Sequence, residues 1–318
     1  MTVPLPIAPT PNGKAAPLIE LRHVRKAFGG GTMFNRREVA ALKDFSLSID
    51  ADRPSITAVV GESGSGKTTM ARMLLGLEWP SSGEVLYRGT DLRKLSKSEW
   101  RDFRKNVQAI FQDPFGVYNS FYKVDHVLET PLRKFKLASS RDEMRRLMEQ
   151  ALRQVGLAPE HTLGRYPHQL SGGQRQRTMV ARTLLLRPRV IVADEPVSMI
   201  DASLRATVLG NLLELKRQFG ISLVYITHDL TTAYQISDQI IVLYQGDVVE
   251  SGDPEQIVRA PQHPYTQLLI RSIPEPDPDQ HWGEDDLDSD AEEEEEEGNV
   301  LLPGTGAPSG QVSGGGAH

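Results

Sequence analysis

The chain has 318 residues, a net charge of -6, a mean hydropathy of -0.36 and no cysteine. The lack of cysteine excludes disulfides, thiolate metal sites and cysteine nucleophiles, and no apolar run approaches the roughly 20 residues that span a bilayer. The charge is uneven, because 14 of the 42 acidic residues lie between Glu275 and Glu297, leaving 36 basic and 28 acidic side chains before them. This basic excess suits a nucleotide-binding protein or a membrane-facing surface, without choosing between them.

The two ends of the chain are predicted to be disordered. Residues 1–17 contain five prolines and few apolar residues, and they lack the apolar core of a secretory signal. Residues 273–318 combine an acidic run with a segment rich in Gly, Pro and Ser. Neither end can bury enough apolar surface to offset the conformational entropy of the chain.

The first folded elements are predicted to be strands followed by a helix. Leu18–Phe28 and Val39–Ile49 have the composition of strands, and Ile56–Val60 is a short branched run typical of a buried parallel strand. A helix is expected next, because apolar residues then recur at helical spacing. These residues are Met70, Met73, Leu74 and Leu77.

The segment from about Trp100 to Gly164 is predicted to be mainly helical. It contains one apolar stripe at helical spacing, for which a core-facing helix is a far better explanation than a ligand site. Ser140 and Glu143 are predicted to form a capping box at its start. The stripe consists of Met144, Leu147, Met148, Ala151, Leu152 and Val155.

Strands and helices alternate in the last third of the folded part. Val190–Ala193, Leu223–Ile226 and Ile240–Tyr244 are short apolar runs, and a helical pattern separates the first two. This alternation favours a parallel sheet covered on both faces. The helical pattern is set by Leu204, Val208, Leu212 and Leu215.

A glycine-rich loop follows the predicted strand Ile56–Val60 and fits the phosphate-binding pattern G-x-x-x-x-G-K-[ST]. Its glycines let backbone N–H groups converge on phosphates, and the following helix adds its positive N-terminus. Lys67 is expected to neutralise phosphate charge, and the Thr68 hydroxyl to ligate Mg²⁺. The loop reads Gly61-Glu62-Ser63-Gly64-Ser65-Gly66-Lys67-Thr68.

Three polar groups at the ends of apolar strands complete a predicted hydrolytic site. Asp194 is expected to hold the Mg²⁺ shell, and Glu195 to act as general base toward the attacking water. An Asp-Glu pair at a strand end is often only a helix cap, and a lone His there is usually structural. With the phosphate loop upstream, His228 is expected to reach the γ-phosphate. Gln112, after the run 109–111, is expected to contact Mg²⁺ or the water.

A second glycine-rich loop, Leu170–Gln174, lacks the Lys-Thr pair of a phosphate loop. It offers the Ser171 hydroxyl, the N–H groups of Gly172 and Gly173, and the start of a predicted helix, all suited to an anion. An ordinary linker is the alternative, but the Arg-Gln-Arg that follows is not linker composition. Two such loops suggest two half-sites, each completed by another copy of an ATPase.

These motifs, in this order, resemble the nucleotide-binding subunit of ABC transporters over roughly residues 18–272. The resemblance implies an α/β fold: a P-loop NTPase core with a mixed sheet, an antiparallel β subdomain and an α-helical subdomain inserted at about 100–180. A family-specific C-terminal extension is expected at about 250–272. The implied activity is ATP hydrolysis coupled to solute transport, with ATP and Mg²⁺ as ligands.

The resemblance also assigns roles to individual residues. It places Walker A at Gly61–Thr69, so that Thr69 joins the nucleotide site, and Walker B at Val190–Asp194. Gln112 corresponds to the Q-loop, Asp201 to the D-loop and His228 to the switch histidine. The family signature corresponds to Ser171, Gly172, Gly173 and Gln174. Phe28 stands where the family places an aromatic ring that stacks on adenine, with a core Phe as the alternative.

Finer features resemble the oligopeptide/dipeptide importer branch. They include the segments 166–169 and 263–266, and Ala193 before Asp194. The branch implies a cytoplasmic position on the inner face of the plasma membrane, two permease subunits, an external solute-binding protein and a second, similar or identical ATPase. Two segments depart from the family pattern: 198–201, which keeps Asp201, and 118–121, which puts the identity of the permease in doubt.

Other functions remain as alternatives. An importer for sugars or an exporter would share every motif, and genes for a solute-binding protein nearby would favour import. A soluble ATPase acting on DNA would need a long coiled-coil insert between Lys67 and Ser171, and one acting on ribosomes would normally fuse two such domains. Only about 100 residues separate the two motifs, so no nucleic-acid partner is expected.

Overall fold

A computed structural model describes residues 16–30, 37–50, 52–111, 118–198 and 202–272 of the chain. Most of the predicted N-terminal segment and all of the predicted tail lie outside these ranges. Gln112 and Asp201 also lie outside the described residues, so their predicted roles stay predictions.

The described strands form two sheets. One has the order β2-β1-β4-β5 and is antiparallel, and the other has the order β10-β9-β3-β8-β7-β6. In the second sheet β9, β3, β8, β7 and β6 are parallel, and only β10 is antiparallel to its neighbour. The strands are β1 Ile19–Gly30, β2 Arg37–Ile49, β3 Ile56–Val60, β4 Ser82–Tyr87, β5 Thr90–Asp91, β6 Val107–Ile110, β7 Val190–Asp194, β8 Ser222–Thr227, β9 Gln239–Tyr244 and β10 Asp247–Gly252.

The helices connect these strands and form a group of their own between β6 and β7. This group contains α3 to α6, and the predicted bounds of a helical subdomain at about 100–180 stay a prediction. The helices are α1 Lys67–Leu74, α2 Lys97–Asn106, α3 Asp125–Phe135, α4 Arg141–Gln154, α5 Pro159–Thr162, α6 Gly172–Leu184, α7 Ala202–Phe219, α8 Leu230–Ile236, α9 Pro254–Arg259 and α10 Pro264–Arg271. The predicted α/β fold with mixed and antiparallel sheets is confirmed.

The core lies on both faces of the six-stranded sheet, because alternate residues of a strand point to opposite faces. On β3, Ile56, Ala58 and Val60 belong to one buried cluster, which the helices between β6 and β9 cover. Val59 belongs to the other, which β1, β2, β4 and α1 cover. One face is therefore covered by helices and the other by α1 and the antiparallel sheet, which explains why every residue of β3 is buried.

Two local predictions are wrong. α1 ends at Leu74, and Leu77 lies beyond it with 65% of its surface exposed. Gly76 at φ +64° turns the chain there, and the Leu77 N–H donates back to the Arg72 carbonyl, as at many glycine-terminated helices. The predicted capping box of α4 is only half formed. Ser140 caps the helix by accepting from the Glu143 N–H, whereas the Glu143 carboxylate accepts from the Ser139 N–H at 2.7 Å.

Candidate active site

The predicted site residues are brought together because their strands are neighbours. β3, β8 and β7 are adjacent and parallel, so the segments that follow them leave the same edge of the sheet. These segments carry the phosphate loop, His228 and the Asp194-Glu195 pair. β6, which precedes Gln112, is the next strand. The crevice outside the carboxyl ends of parallel strands is the usual ligand site of α/β sheets.

The phosphate loop is packed so closely against its surroundings that glycine is required at both of its ends. A Cβ on Gly61 would lie 2.1 Å from the Leu243 carbonyl oxygen of β9, and a Cβ on Gly66 would lie 2.3 Å from the Ala41 carbonyl oxygen of β2. Gly66 also has φ +112°, a conformation that side chains disfavour. The loop is therefore held in shape by the two sheets on either side of it.

Lys67 is buried at the start of α1, and its ammonium group lies inside the loop. Its Nζ donates to the carbonyl oxygens of Gly61 at 2.6 Å and Glu62 at 2.7 Å. Burial lowers the pKa of Lys67, whereas the carboxylates of Glu195 and Asp194 act in the opposite direction. The ammonium is thus directed toward the end of the sheet where those carboxylates lie.

The loop retains polar groups that a phosphate could use. Gly66 is the N-cap of α1 and offers no side-chain cap, so no side chain satisfies the first N–H groups of this helix. The Ser65 hydroxyl is buried and has no hydrogen-bond partner among the described residues, which is unusual for a buried polar atom. Ser63, Gly64 and Thr68 are exposed. Free N–H groups, a buried cation and an unpartnered hydroxyl fit a polyphosphate.

Asp194 ends β7 as a half-buried carboxylate next to a second acid. Burial raises its pKa, and the Glu195 carboxylate raises it further, while Lys67 and Arg72 lower it. A divalent cation would relieve this unfavourable burial of negative charge, and carboxylate and hydroxyl oxygens are the donors that Mg²⁺ prefers. The described residues hold no cluster of three or more His, Cys, Asp or Glu ligands, so phosphate oxygens and water would have to complete the shell.

Glu195 has a backbone conformation that turns its side chain away from the strand direction. Its φ is +46°, uncommon for a residue with a side chain. Its N–H donates to the Ile226 carbonyl of β8 at 2.9 Å, which holds this conformation in place. The Glu195 Oε1 lies 3.3 Å from the His228 Nδ1. The structure thus joins the predicted base to the predicted switch histidine.

The second glycine-rich loop forms the first turn of a helix. α6 begins at Gly172, and Ser171 caps it: the Ser171 hydroxyl accepts from the Gln174 N–H, and the Gln174 side chain accepts from the Ser171 N–H. Ser171 and Gly172 are exposed. The hydrogen bonds described for this turn do not reach the phosphate loop of the same chain. One turn further, the Gln176 amide donates to the Pro196 carbonyl beside the acidic pair.

Phe28 lies on β1 and is not a core residue. It is 47% exposed, and the Lys26 ammonium lies 5.0 Å from the centre of its ring. Exposure removes the core alternative and leaves a ring face open to solvent. Its predicted contact with adenine is not tested by this geometry.

One contact to the loop escaped sequence reasoning. The Glu62 N–H donates to the hydroxyl of Tyr265 on α10 at 2.8 Å. Tyr265 belongs to the segment 263–266, whose resemblance to the importer branch gives no sign of this contact. A buried tyrosine hydroxyl usually has a polar partner. The sequence gives no signal that this partner is a backbone N–H 203 positions away.

These features define a P-loop nucleotide-binding site with an acidic pair at the end of β7, two strands away from β3 in the same sheet. A profile described as ABC transporter matches residues 42–198, and one described as oligopeptide/dipeptide transporter, C-terminal region, matches residues 249–299. The second match extends beyond the described residues into the acidic segment.

Named relatives agree with this class. The chain is 41% identical to the dipeptide transport ATP-binding protein DppF of Escherichia coli over 83% of its own length and 78% of that protein. It is 39% identical to the oligopeptide transport ATP-binding protein OppF of Streptococcus pyogenes serotype M1, over 82% of this chain and 83% of that protein. The chain therefore belongs to the ATP-binding subunits of ABC transporters, and it is an ATPase.

Solved structures show the same fold. The ATP-binding cassette MJ0796, described as a dimer in a post-hydrolysis state bound to ADP and Pi, matches with a TM-score of 0.64 and 28% identity, over 74% of this chain and 98% of that one. CbiO1 from Clostridium perfringens, part of the ABC transporter complex cbiONQ, matches with a TM-score of 0.63 and 26% identity. This match covers 76% of this chain and 90% of that one. In the described part of the chain, no helix is long and apolar enough to cross a bilayer.

Proposed function

We propose that this chain is the subunit that binds and hydrolyses ATP to power an importer for peptides or related small solutes. The observation that carries the proposal is the meeting of Lys67, Asp194, Glu195 and His228 at the ends of neighbouring parallel strands. The peptide cargo is supported by the names of the oligopeptide and dipeptide relatives and by the C-terminal profile match.

Binding of ATP follows from the chemistry of the loop. The backbone N–H groups of the phosphate loop and Lys67 hold the phosphates, because a buried cation and a helix N-terminus both favour negative charge. Phe28 offers its exposed ring to the adenine. Ser63, Ser65 and Thr69 lie on the loop and the first turn of α1, where their hydroxyls can contact phosphate or its metal.

Hydrolysis depends on the carboxylates of the strand β7. Thr68 and Asp194 would hold Mg²⁺, with Gln112 as a further contact, and the bound ion would neutralise phosphate charge. Glu195 accepts a proton from the attacking water as general base. His228 lies beside the Glu195 carboxylate and orients the same water toward the γ-phosphate. The partial burial of Asp194 strengthens its interactions with the developing charge.

The active site is completed by a second ATPase subunit. In the described chain Ser171 is exposed and its turn makes no hydrogen bond to the phosphate loop. We assign Ser171, Gly172 and Gly173 to the γ-phosphate of ATP bound by a partner, with Asp201 at the seam. The dimeric cassette described with ADP and Pi supports this arrangement. ATP then favours the closed pair through contacts to both subunits, and hydrolysis removes them.

Two permease subunits and an external solute-binding protein are the further partners, with the chain attached to the cytoplasmic face of the membrane through the permease. A groove of roughly 780 Å³ lies beside β6, the strand that precedes Gln112. Trp100 and Phe135 line it together with Arg101, Arg104 and Lys134. This apolar groove with a basic rim suits a permease segment that carries acidic residues.

Reconstitution tests the function directly. The complex that co-purifies with this chain is placed in vesicles, and ATP hydrolysis is measured with peptide-loaded and with empty solute-binding protein. The expected result is ATP-dependent peptide uptake and stimulated hydrolysis, both lost in a Glu195→Gln complex. Uptake of sugars instead of peptides, or export from the vesicle interior, would replace the importer proposal by one of the alternatives.

A further inference from the structure

The hydroxyl of Tyr265 forms a hydrogen bond with one peptide group of the phosphate loop. The Glu62 N–H donates to it at 2.8 Å, and the carbonyl of the same peptide group, that of Gly61, accepts from the Lys67 ammonium at 2.6 Å. Tyr265 and Lys67 therefore hold opposite ends of one planar peptide unit. Whatever fixes the N–H side of this unit also fixes the direction of the carbonyl that positions Lys67.

This peptide group needs an external restraint. Gly61 precedes it, and glycine allows rotations that other residues resist. A flip of the peptide would turn its carbonyl away from the ammonium and leave the Glu62 N–H without its partner. On the other side, the loop is limited by the Leu243 carbonyl of β9, which leaves no room for a side chain at Gly61. The phenol of Tyr265 opposes the flip by binding the N–H.

Tyr265 is itself held rigidly by the C-terminal elements. Only 8% of the residue is exposed, and its ring stacks on Tyr244 of β9 with the ring centres 4.1 Å apart. Its own N–H donates to the His263 side chain, which caps α10. The Glu250 carboxylate of β10 accepts from the N–H groups of Gln262 and His263 at 2.9 and 3.1 Å. The start of α10 is thereby tied to the sheet edge next to the loop.

We propose that Tyr265 is a positioning residue for ATP binding: through the Gly61–Glu62 peptide it holds the carbonyl that directs Lys67 toward the phosphates. The inference rests on the proposed role of this loop as the ATP site. It assigns to α10 a contribution to nucleotide affinity. The catalytic groups Glu195 and His228 follow other strands, so their rate contribution is expected to be independent of the phenol.

The stacked pair provides a matched comparison. Tyr265→Phe removes the hydroxyl that accepts from the Glu62 N–H. Tyr244→Phe removes a hydroxyl that, among the described residues, accepts from the exposed Gln245 amide. Both variants keep the stacked rings. ATP affinity is measured by calorimetry on the full-length chain, and kcat and KM by steady-state hydrolysis in the purified complex. Tyr265→Phe is expected to weaken ATP binding and raise KM by about 10-fold, with kcat within about twofold of the parent. Tyr244→Phe is expected to match the parent.

A second variant separates positioning from folding. His263→Ala removes the cap of α10 and leaves the phenol in place, so a smaller rise in KM in the same direction is expected. Melting temperatures without nucleotide are compared for all variants. Equal ATP affinity in the parent and Tyr265→Phe would overturn the inference, as would losses of kcat and thermal stability without a KM effect. If the parent itself does not bind ATP, the proposed function fails, a result distinct from equal affinities.

Discussion

The Glu195 carboxylate lies 3.3 Å from the His228 imidazole, across the boundary between β7 and β8. The two side chains differ in environment, since Glu195 is 21% exposed and His228 is 58% exposed. The parallel pairing of Asp194 with Ile226 places the residues after both strands side by side. A partly shielded acid beside an accessible imidazole is an arrangement in which both groups can contact one water molecule.

Replacement of the acid tests the assignment of the general base. Glu195→Gln keeps the size of the side chain and removes the proton acceptor. Hydrolysis is expected to fall by about 10²–10⁴-fold, because that is the usual contribution of a positioned base, while ATP binding is retained. Hydrolysis by the purified complex and ATP affinity are the measurements. A variant that hydrolyses ATP at the parent rate would show that another group activates the water.

The buried ammonium of Lys67 is expected to control nucleotide affinity. Lys67→Ala removes a charge that contacts two loop carbonyls and that is proposed to bind the phosphates. ATP affinity should fall by about 10- to 100-fold, in line with the loss of charge-assisted hydrogen bonds. Lys43→Ala is the control, since Lys43 is an exposed lysine paired with Asp247. Equal affinities for Lys67→Ala and Lys43→Ala would contradict the assignment of the loop.

Because the pKa of Asp194 is raised, replacing this aspartate by asparagine is expected to increase the folding stability in a pH-dependent way. Burial first, and then Glu195, raise this pKa, so the folded chain holds the proton to a higher pH than the unfolded chain does. The folding stability contributed by protonation of Asp194 is therefore fully present below the pKa of this group in the unfolded chain. It falls as the pH rises through the pKa of Asp194 in the folded chain. Without nucleotide or metal, Asp194→Asn is expected to melt a few degrees higher than the parent at neutral pH.

Acid provides the control for this measurement. As the pH falls through the folded pKa, Asp194 in the parent becomes neutral like the amide, so the difference in melting temperature should shrink. Thermal unfolding followed by circular dichroism over the acidic range measures it. A gap that widens on acidification would mean that the aspartate is stabilised in its charged form.

The composite active site predicts an effect of Ser171 on hydrolysis alone. Ser171→Asp preserves the cap of α6, because aspartate is as good a cap as serine, but it places a negative charge where the partner's γ-phosphate is proposed to bind. Hydrolysis by the complex is expected to fall at least about 10-fold, while the isolated subunit binds ATP as the parent does. Ser171→Asn, which also caps a helix but carries no charge, serves as the control for the added charge.

If Ser171→Asp hydrolyses ATP at the parent rate in the complex, the signature turn does not contact phosphate. If it also weakens ATP binding by the isolated subunit, the turn acts within its own chain, contrary to the sandwiched arrangement. Melting temperatures of the subunit exclude a loss of folding as the cause.

Several elements could be predicted because their causes are local. The apolar run of β3 is predicted with its observed bounds, since a strand buried on both faces must be continuously apolar. The phosphate loop follows from the spacing of its glycines and Lys67. The wrong predictions arise where two local solutions compete: Gly76 ends α1 before Leu77, and Glu143 binds the Ser139 N–H instead of completing a box with Ser140.

The amino-acid sequence by itself determined the α/β class, the phosphate loop and the identity of the acids and the histidine, because these depend on residues close together along the chain. The roles of Gln112 and Asp201, outside the described residues, stay predictions. Only the tertiary structure decided that β8 lies between β3 and β7 and that Glu195 lies beside His228. The same holds for the hydrogen bond between the Tyr265 hydroxyl and the peptide group whose carbonyl binds Lys67. Strand order and contacts across some 200 positions depend on how separate elements pack against each other. They cannot be predicted from the periodicity of one element, because that periodicity does not indicate which element packs beside it.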